Sequence, residues 1–200
     1  MIDRSARPDH PINDAIAARW SPYAFDPRPL NPADLRSLLE AARWAPSSFN
    51  EQPWRYLAAM RQHTDAFTKL LSCLVEPNQV WARQASALLL TVASLTFSRT
   101  GQPNTMARHD VGLASAQLTV EATGRGLAVH QMGGILPDRA RELYGIPAGF
   151  EAVTGLAIGY PADPATLPDE LRARDTAPRR RRPQAEFVFG DAWGEPAALD

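Results

Sequence analysis

Residues 43–54 read RWAPSSFNEQPW, and within these twelve positions the chain changes character. Upstream, Leu35, Leu38, Leu39 and Ala42 repeat at the spacing of an amphipathic helix, with Asn31 as N-cap and Pro32 at its first position. That periodicity stops at Ala45. Pro46 and Pro53 then fix two φ angles and remove two N–H donors, so the segment between them is a shaped loop. Its side chains Ser47, Ser48, Asn50 and Gln52 donate and accept hydrogen bonds without charge, which suits the rim of a polar heteroaromatic ligand. The same residue types also build ordinary helix-to-strand connections. Downstream, Trp54 to Ala59 predicts a strand.

Working outward, Asn13 can cap a short helix through Ala15, Ile16 and Ala18, which ends at Arg19-Trp20-Ser21 before Pro22. After the first strand comes a helix, AFTKLLSCL, and then a second one opened by Glu76-Pro77-Asn78 and continued by Val80, Trp81 and Ala85. Leu88 to Ala93 is an apolar strand, and Ser98 to Thr105 is a loop broken by Gly101, Pro103 and Asn104. Asp110 is the expected N-cap of the longest helix, VGLASAQLTVEATGR. That helix is small or apolar on nearly every face, so it is expected to be central and to pack also against a second subunit through Gly112, Ala114, Ser115 and Ala116.

Gly124 and Gly126 close the helix, and Leu127 to His130 is a short strand that runs into Gln131-Met132-Gly133-Gly134. A short helix follows from Pro137-Asp138, then a core strand from Phe150 to Tyr160. From Pro161 onward Pro164, Pro168, Pro178 and Pro183 predict an extended arm, followed by Phe187-Val188-Phe189. The irregular alternation of helices and strands favours an α+β layer with mixed strand directions over a doubly wound parallel sheet.

The bulk composition narrows the function classes. A chain of 200 residues suits one domain, residues 1–200, with a sizeable core. With 44% hydrophobic residues, 22% charged residues and a net charge of -1, neither disorder nor a general attraction to nucleic acid or anionic membranes is expected. The polar start MIDRSARPDHPIND has no apolar core of a signal peptide, and the longest apolar run is too short to span a bilayer, so a soluble cytoplasmic protein is expected. Cys73, the single cysteine, cannot form an intrachain disulfide and reads as buried and inert.

Cationic chemistry is concentrated at Arg19, two residues before Ser21, and at Arg179 to Arg182. Guanidinium groups bind a phosphate monoester bidentately, and Ser21 would add a neutral donor. A four-arginine run can equally be a solvated patch. No phosphate-cradling glycine motif is present, His10, His63, His109 and His130 are not at metal-ligand spacing, and no serine nucleophile motif occurs. Gly133-Gly134 after a buried strand either forms a simple turn or lets backbone N–H groups approach a planar ligand.

Taken in order, AIAARWSPYAF, ARWAPSSFNEQPWRY, NQVWARQASALLL, GLASAQLTVEATGRGLAVHQMGG and RRRRPQAEFVF resemble the FMN-dependent nitroreductase family over most of the chain. The resemblance implies an intertwined α+β homodimer with a central mixed or antiparallel sheet flanked by helices, FMN at the subunit interface, and an arm over 161–200 packing on the partner. It places Arg19, Trp20 and Ser21 at the FMN phosphate and ribityl chain, with Arg180 and Arg182 completing the phosphate site. Pro46, Ser47, Ser48 and Asn50 match the loop contributed by the partner subunit, and Asn78 matches a ring-contacting asparagine. Met132, Gly133 and Gly134 match the turn whose backbone N–H faces flavin N5.

One position departs from the family pattern. Many members carry Lys or Arg three residues after the asparagine, where this chain has Trp81; a cation there would stabilise the anionic reduced flavin, so Trp81 implies a different potential and acceptor range. The implied activity is hydride transfer from NADH or NADPH through FMN to a nitroaromatic, quinone or similar small-molecule acceptor by ping-pong turnover, with no side chain as covalent catalyst. The alternatives are a specialised flavoenzyme with a dedicated biosynthetic or halogenated substrate and a non-catalytic flavin-binding dimer. No metal, nucleic-acid or membrane partner is expected.

Overall fold

The computed structural model describes residues 4–199; residues 1–3 and 200, the ends of the polar N-terminal stretch and of the C-terminal arm, lie outside it. The chain runs α1 (Asp14–Ala18), β1 (Phe25–Asp26), α2 (Pro32–Arg43), β2 (Trp54–Met60), α3 (Thr64–Leu71), α4 (Glu76–Ala82), β3 (Ala87–Ser94), α5 (Ala107–Gly124), β4 (Ala128–Met132), α6 (Pro137–Tyr144), β5 (Phe150–Pro161) and α7 (Asp169–Thr176). Both expected caps form: the Asn13 side chain accepts from Ala15 N–H and the Asn31 side chain from Ala33 N–H, each at 2.9 Å.

The sheet is built on β5. It pairs with β3 along one edge and with β4 and then β1 along the other, while β2 lies outside β3. Each of these pairings is antiparallel. Because successive strand residues point to opposite faces, β3 feeds two cores. Leu88, Leu90 and Val92 pack with Phe67, Leu70, Leu74 and Trp81, whereas Leu89 and Ala93 pack with Leu35, Leu38, Val111, Ala114 and Leu118. Helices thus cover both faces of one α+β layer.

Two helical expectations change. Helix α5 starts at Ala107, after Met106, so Asp110 is not its N-cap; it lies in the first turn, 2% exposed. The start signal was displaced because Asn104, whose side chain accepts the Met106 N–H at 3.0 Å, already turns the chain into the helix. The arm is not extended throughout: a 3-10 turn at Pro164–Thr166 and helix α7 interrupt it. Pro168 immediately precedes α7 and leaves its first turn free, so proline here starts a helix where composition suggested none.

Cys73 falls just beyond α3 and is fully buried. Burial pushes its thiol pKa up, against weaker pulls from Arg139 and Lys69, in keeping with an inert role. Among the described residues, no helix is long and apolar enough to cross a membrane, and no group of three or more acids, histidines or cysteines is placed to hold a metal.

Candidate functional site

Three groups of expected ligand-facing residues occupy three places. The first follows α1. Arg19 donates to Ser21 Oγ at 3.2 Å, so the Arg-x-Ser pair forms one hydrogen-bonding unit, with the Arg4 guanidinium 5.3 Å from the Trp20 ring centre between them. The arginine run crosses this segment. Arg179 donates to the Arg4 and Ala17 carbonyls, and Arg19 and Arg179 through Arg182 line one cavity of about 430 Å³ with Arg7, His10 and Ile16.

The charges in this cavity repel each other. Arg19 has its pKa lowered first by burial and then by Arg181, and Arg179 is lowered by burial and then by Arg19, Arg181 and Arg4. Of the four arginines in the run, Arg182 alone reaches a carboxylate among the described residues, Glu186 at 4.0 Å. Arg180 and Arg182 line the cavity as expected, but Arg179 and Arg181 are the pair electrostatically coupled to Arg19. All four arginines of the run border the one cavity, and Arg179 is the only one of them that is not exposed.

Asp175 holds this cluster together and was not foreseen. It is 2% exposed, and its carboxylate accepts the Tyr23 N–H at 2.9 Å and the Ala24 N–H at 3.4 Å. It therefore ties α7, which leads into the arginine run, to the chain just after Ser21. Burial raises its pKa, with the two backbone donors, Arg4 and His130 opposing. Its sequence neighbourhood, an acid in a charged helix, carries no signal for this contact.

The second group surrounds the end of β4. Asn78 Nδ2 donates to the Gly134 carbonyl at 3.0 Å, and the Val75 N–H donates to the same oxygen at 3.1 Å. The two glycines have different duties. A Cβ at Gly134 would lie 2.6 Å from Asn78 Nδ2 and 2.7 Å from Val75 Cγ2, whereas one at Gly133 would meet nothing within 4 Å. Gly134 lets α4 approach; Gly133 leaves open space at the strand end. Met132 is 3% exposed and packs in the core.

Trp81 is 2% exposed, with its ring 4.5 Å from His130, 5.2 Å from Tyr23 and 6.3 Å from Phe25. The indole is packed into the core, and what remains accessible of it lines a cavity with Tyr23, Phe25, Val80 and Gln84. His130 Nδ1 lies 2.9 Å from the Pro22 carbonyl and connects this group to the segment after Ser21.

The third group is the loop after α2. Phe49, Asn50 and Gln52 have φ of 53°, 56° and 53°, in the left-handed region. The loop is held by its own polar atoms: Gln52 N–H donates to Ser47 Oγ at 3.0 Å, Asn50 N–H to the Ser47 carbonyl at 3.0 Å, and Ser48 N–H to Asp110 Oδ2 at 3.0 Å. Pro46 is exposed and Ser47 and Ser48 are half-buried. Among the described residues, no hydrogen bond, ion pair or ring contact joins this loop to the arginine cluster.

The sequence profile of the Nitroreductase family matches residues 16–160, a span that begins within α1 and includes the loop, α4 and the β4 turn. The chain belongs to the nitroreductase family. Within solved nitroreductase-like structures, an oxidoreductase containing FMN has a TM-score of 0.90 and 36% identity, covering 96% of this chain and 98% of that one. A nitroreductase family protein from Clostridium difficile 630 shares the fold at TM-score 0.66 and 24% identity, over 87% of this chain and 94% of its own. An uncharacterized 15.4 kDa protein of Mycolicibacterium smegmatis is 36% identical over 135 residues, 66% of this chain and 87% of that protein.

Proposed function

We propose that this nitroreductase-family chain is a homodimeric FMN oxidoreductase that takes electrons from NADH or NADPH and delivers them by ping-pong turnover to a nitroaromatic, quinone or similar acceptor. The observation that carries the reading is the arginine cavity. Arg19 and Arg179 have their pKa values pulled down by burial and by neighbouring cations, and both lack a carboxylate partner among the described residues. A phosphate monoester relieves that repulsion and accepts from several guanidinium groups at once.

The residues present fit FMN. Arg19, Ser21 and Arg179 through Arg182 would hold its phosphate; the open backbone at Gly133 would face the isoalloxazine, and Asn78 would line the ring edge. FMN, when bound, supplies the hydride chemistry. The protein's share is orientation: the Gly133 N–H would offer the flavin a donor without adding a competing acid.

Among the described residues no hydrogen bond, ion pair or ring contact joins the loop 46–50 to the arginine cavity of its own chain, so we assign it to the site of a second copy. Helix α5 supports that assembly. Gly112 and Ala116 are exposed on it, and a Cβ at Gly112 would meet nothing within 4 Å, which leaves a small-residue face free for close approach. The end of the arm, with Phe187 at 59% and Trp193 at 93% exposure, would pack on the same partner. The burial of Trp81 favours a dedicated acceptor as second reading, because α4 then presents no cation three residues after Asn78 to stabilise an anionic reduced flavin.

The test is a visible spectrum of the purified protein followed by anaerobic titration with NADH and with NADPH. A flavin spectrum that bleaches with either donor and returns with menadione is expected. Protein that stays colourless after refolding with FMN contradicts the reading.

A further inference from the structure

A second cavity, of about 430 Å³, lies between the 46–52 loop and the turn after β3, lined by Phe49, Asn50, Glu51, Phe97, Ser98, Arg99 and Thr100. Phe49 is 85% exposed and sits at φ 53°, ψ 22°. Phenylalanine has no intrinsic preference for that region, so the backbone there is strained. The strain nonetheless holds an aromatic ring out of the core, edge-on to Phe97 with 5.8 Å between ring centres and an 85° interplanar angle.

Both walls are fixed. Glu51 Oε1 accepts the Ser98 N–H at 2.7 Å, which ties the loop to the turn, and Phe97 N–H donates to the Gln102 carbonyl at 2.8 Å, which closes the turn on itself. The polar lining is asymmetric. Glu51 has one oxygen committed to that backbone N–H, while Arg99 is exposed and has no hydrogen-bond or ion-pair partner among the described residues.

We propose that this cavity binds the electron acceptor, and that it selects a planar aromatic bearing an anionic substituent: the ring packs against Phe49 and Phe97, and the anion pairs with Arg99. The aromatic faces supply packing for a flat ring, and the guanidinium supplies the directional charge. The role as acceptor site rests on the flavin oxidoreductase reading; the binding selectivity follows from Phe49, Phe97 and Arg99 alone.

The experiment titrates FMN-saturated protein by calorimetry with 4-nitrobenzoate and with its neutral analogue 4-nitrobenzamide, for the native chain, Arg99→Gln and Phe49→Ala. The benzoate is expected to bind about fivefold more tightly than the amide, the upper range for an exposed ion pair. Arg99→Gln should erase that ratio, and Phe49→Ala should weaken both compounds about tenfold, an aromatic contact's worth. Equal binding of the two compounds, a ratio that survives Arg99→Gln, or unchanged binding in Phe49→Ala overturns the proposal. Flavin absorbance of the same protein is read separately, after free FMN has been removed by gel filtration. Colourless protein that keeps Arg99-dependent selectivity contradicts the flavin reading alone, whereas yellow protein without it contradicts the acceptor site alone.

Discussion

Arg19 and Arg179 stand in a neighbourhood of cations that repel them, while Ser47 and Ser48 stand in an uncharged loop whose backbone is bent into left-handed conformations. The two regions store free energy in different forms. In the arginine cavity it is electrostatic, and an anion would release it; in the loop it is conformational, and the hydrogen bonds to Ser47 and Asp110 maintain it. The difference teaches that the cavity is built to attract a charged group and the loop to present groups at fixed angles. On the proposed function, one is a binding site for an anion and the other a shaped wall.

The largest predicted effect breaks the first half of that contrast. Arg19→Glu places an acid among Arg179 and Arg181 and should weaken FMN binding roughly 100-fold, about the 3 kcal/mol upper value for a charged hydrogen bond. Fluorescence titration with FMN measures it, and the loss should exceed that of any single loop substitution.

Next in size is the pair of glycines. Gly134→Ala must displace Asn78 or Val75 and should cost about 2 kcal/mol, in the overpacking range, seen as a lower Tm. Gly133→Ala fills open space and should leave Tm within the small changes of a surface substitution. A larger loss for Gly133 than for Gly134 would reverse the duties assigned to them.

Gln52→Gly sharpens the second half. Its φ of 53° suits glycine, and its N–H to Ser47 Oγ survives the change, so Tm should rise by the equivalent of about 0.5 kcal/mol. A fall would mean the side-chain bond from Gln52 to the Asn50 carbonyl outweighs the backbone strain.

The smallest effect concerns His130, which links the arginine segment to β4. Burial lowers its pKa from the model-peptide value of 6.5, with the Pro22 carbonyl and Asp175 pulling the other way. A histidine that is harder to protonate when folded makes the unfolded chain bind more protons, so stability falls as pH drops from 6.5 through the lowered value. Asp175 acts in the opposite sense: its raised pKa means stability is lost as pH rises from 3.8 through the folded value. His130→Gln should flatten the slope below pH 6.5 in denaturant titrations; an unchanged slope would remove His130 as its source.

Much of this was legible in the chain. Asn31, Pro32 and the leucine spacing fix α2, and continuous apolar runs place β3 and β5, because both signals are local. Long-range choices were not. Asp110 has the profile of a helix cap but is drawn inward by the Ser48 N–H, 62 positions earlier in the chain. Trp81 occupies a position where the family often has a cation, yet its size and apolarity send it into the core beside Tyr23 and Phe25. The arginine run shows where cations concentrate but not how α7 leads into it: α7 is held by Asp175, by Arg4 donating to the Thr176 and Ala177 carbonyls and by Leu171 on the core, contacts that no local pattern distinguishes.

The central claim is that the loop of one copy completes the cavity of another. Arg19→Glu and Asn50→Ala chains are combined into mixed dimers, purified with two different affinity tags, and titrated with FMN. If the site is shared, both defects fall in the same site and each mixed dimer keeps one site of native affinity. If each site lies within a single chain, both sites carry a defect and no native-affinity binding remains, which would contradict the account.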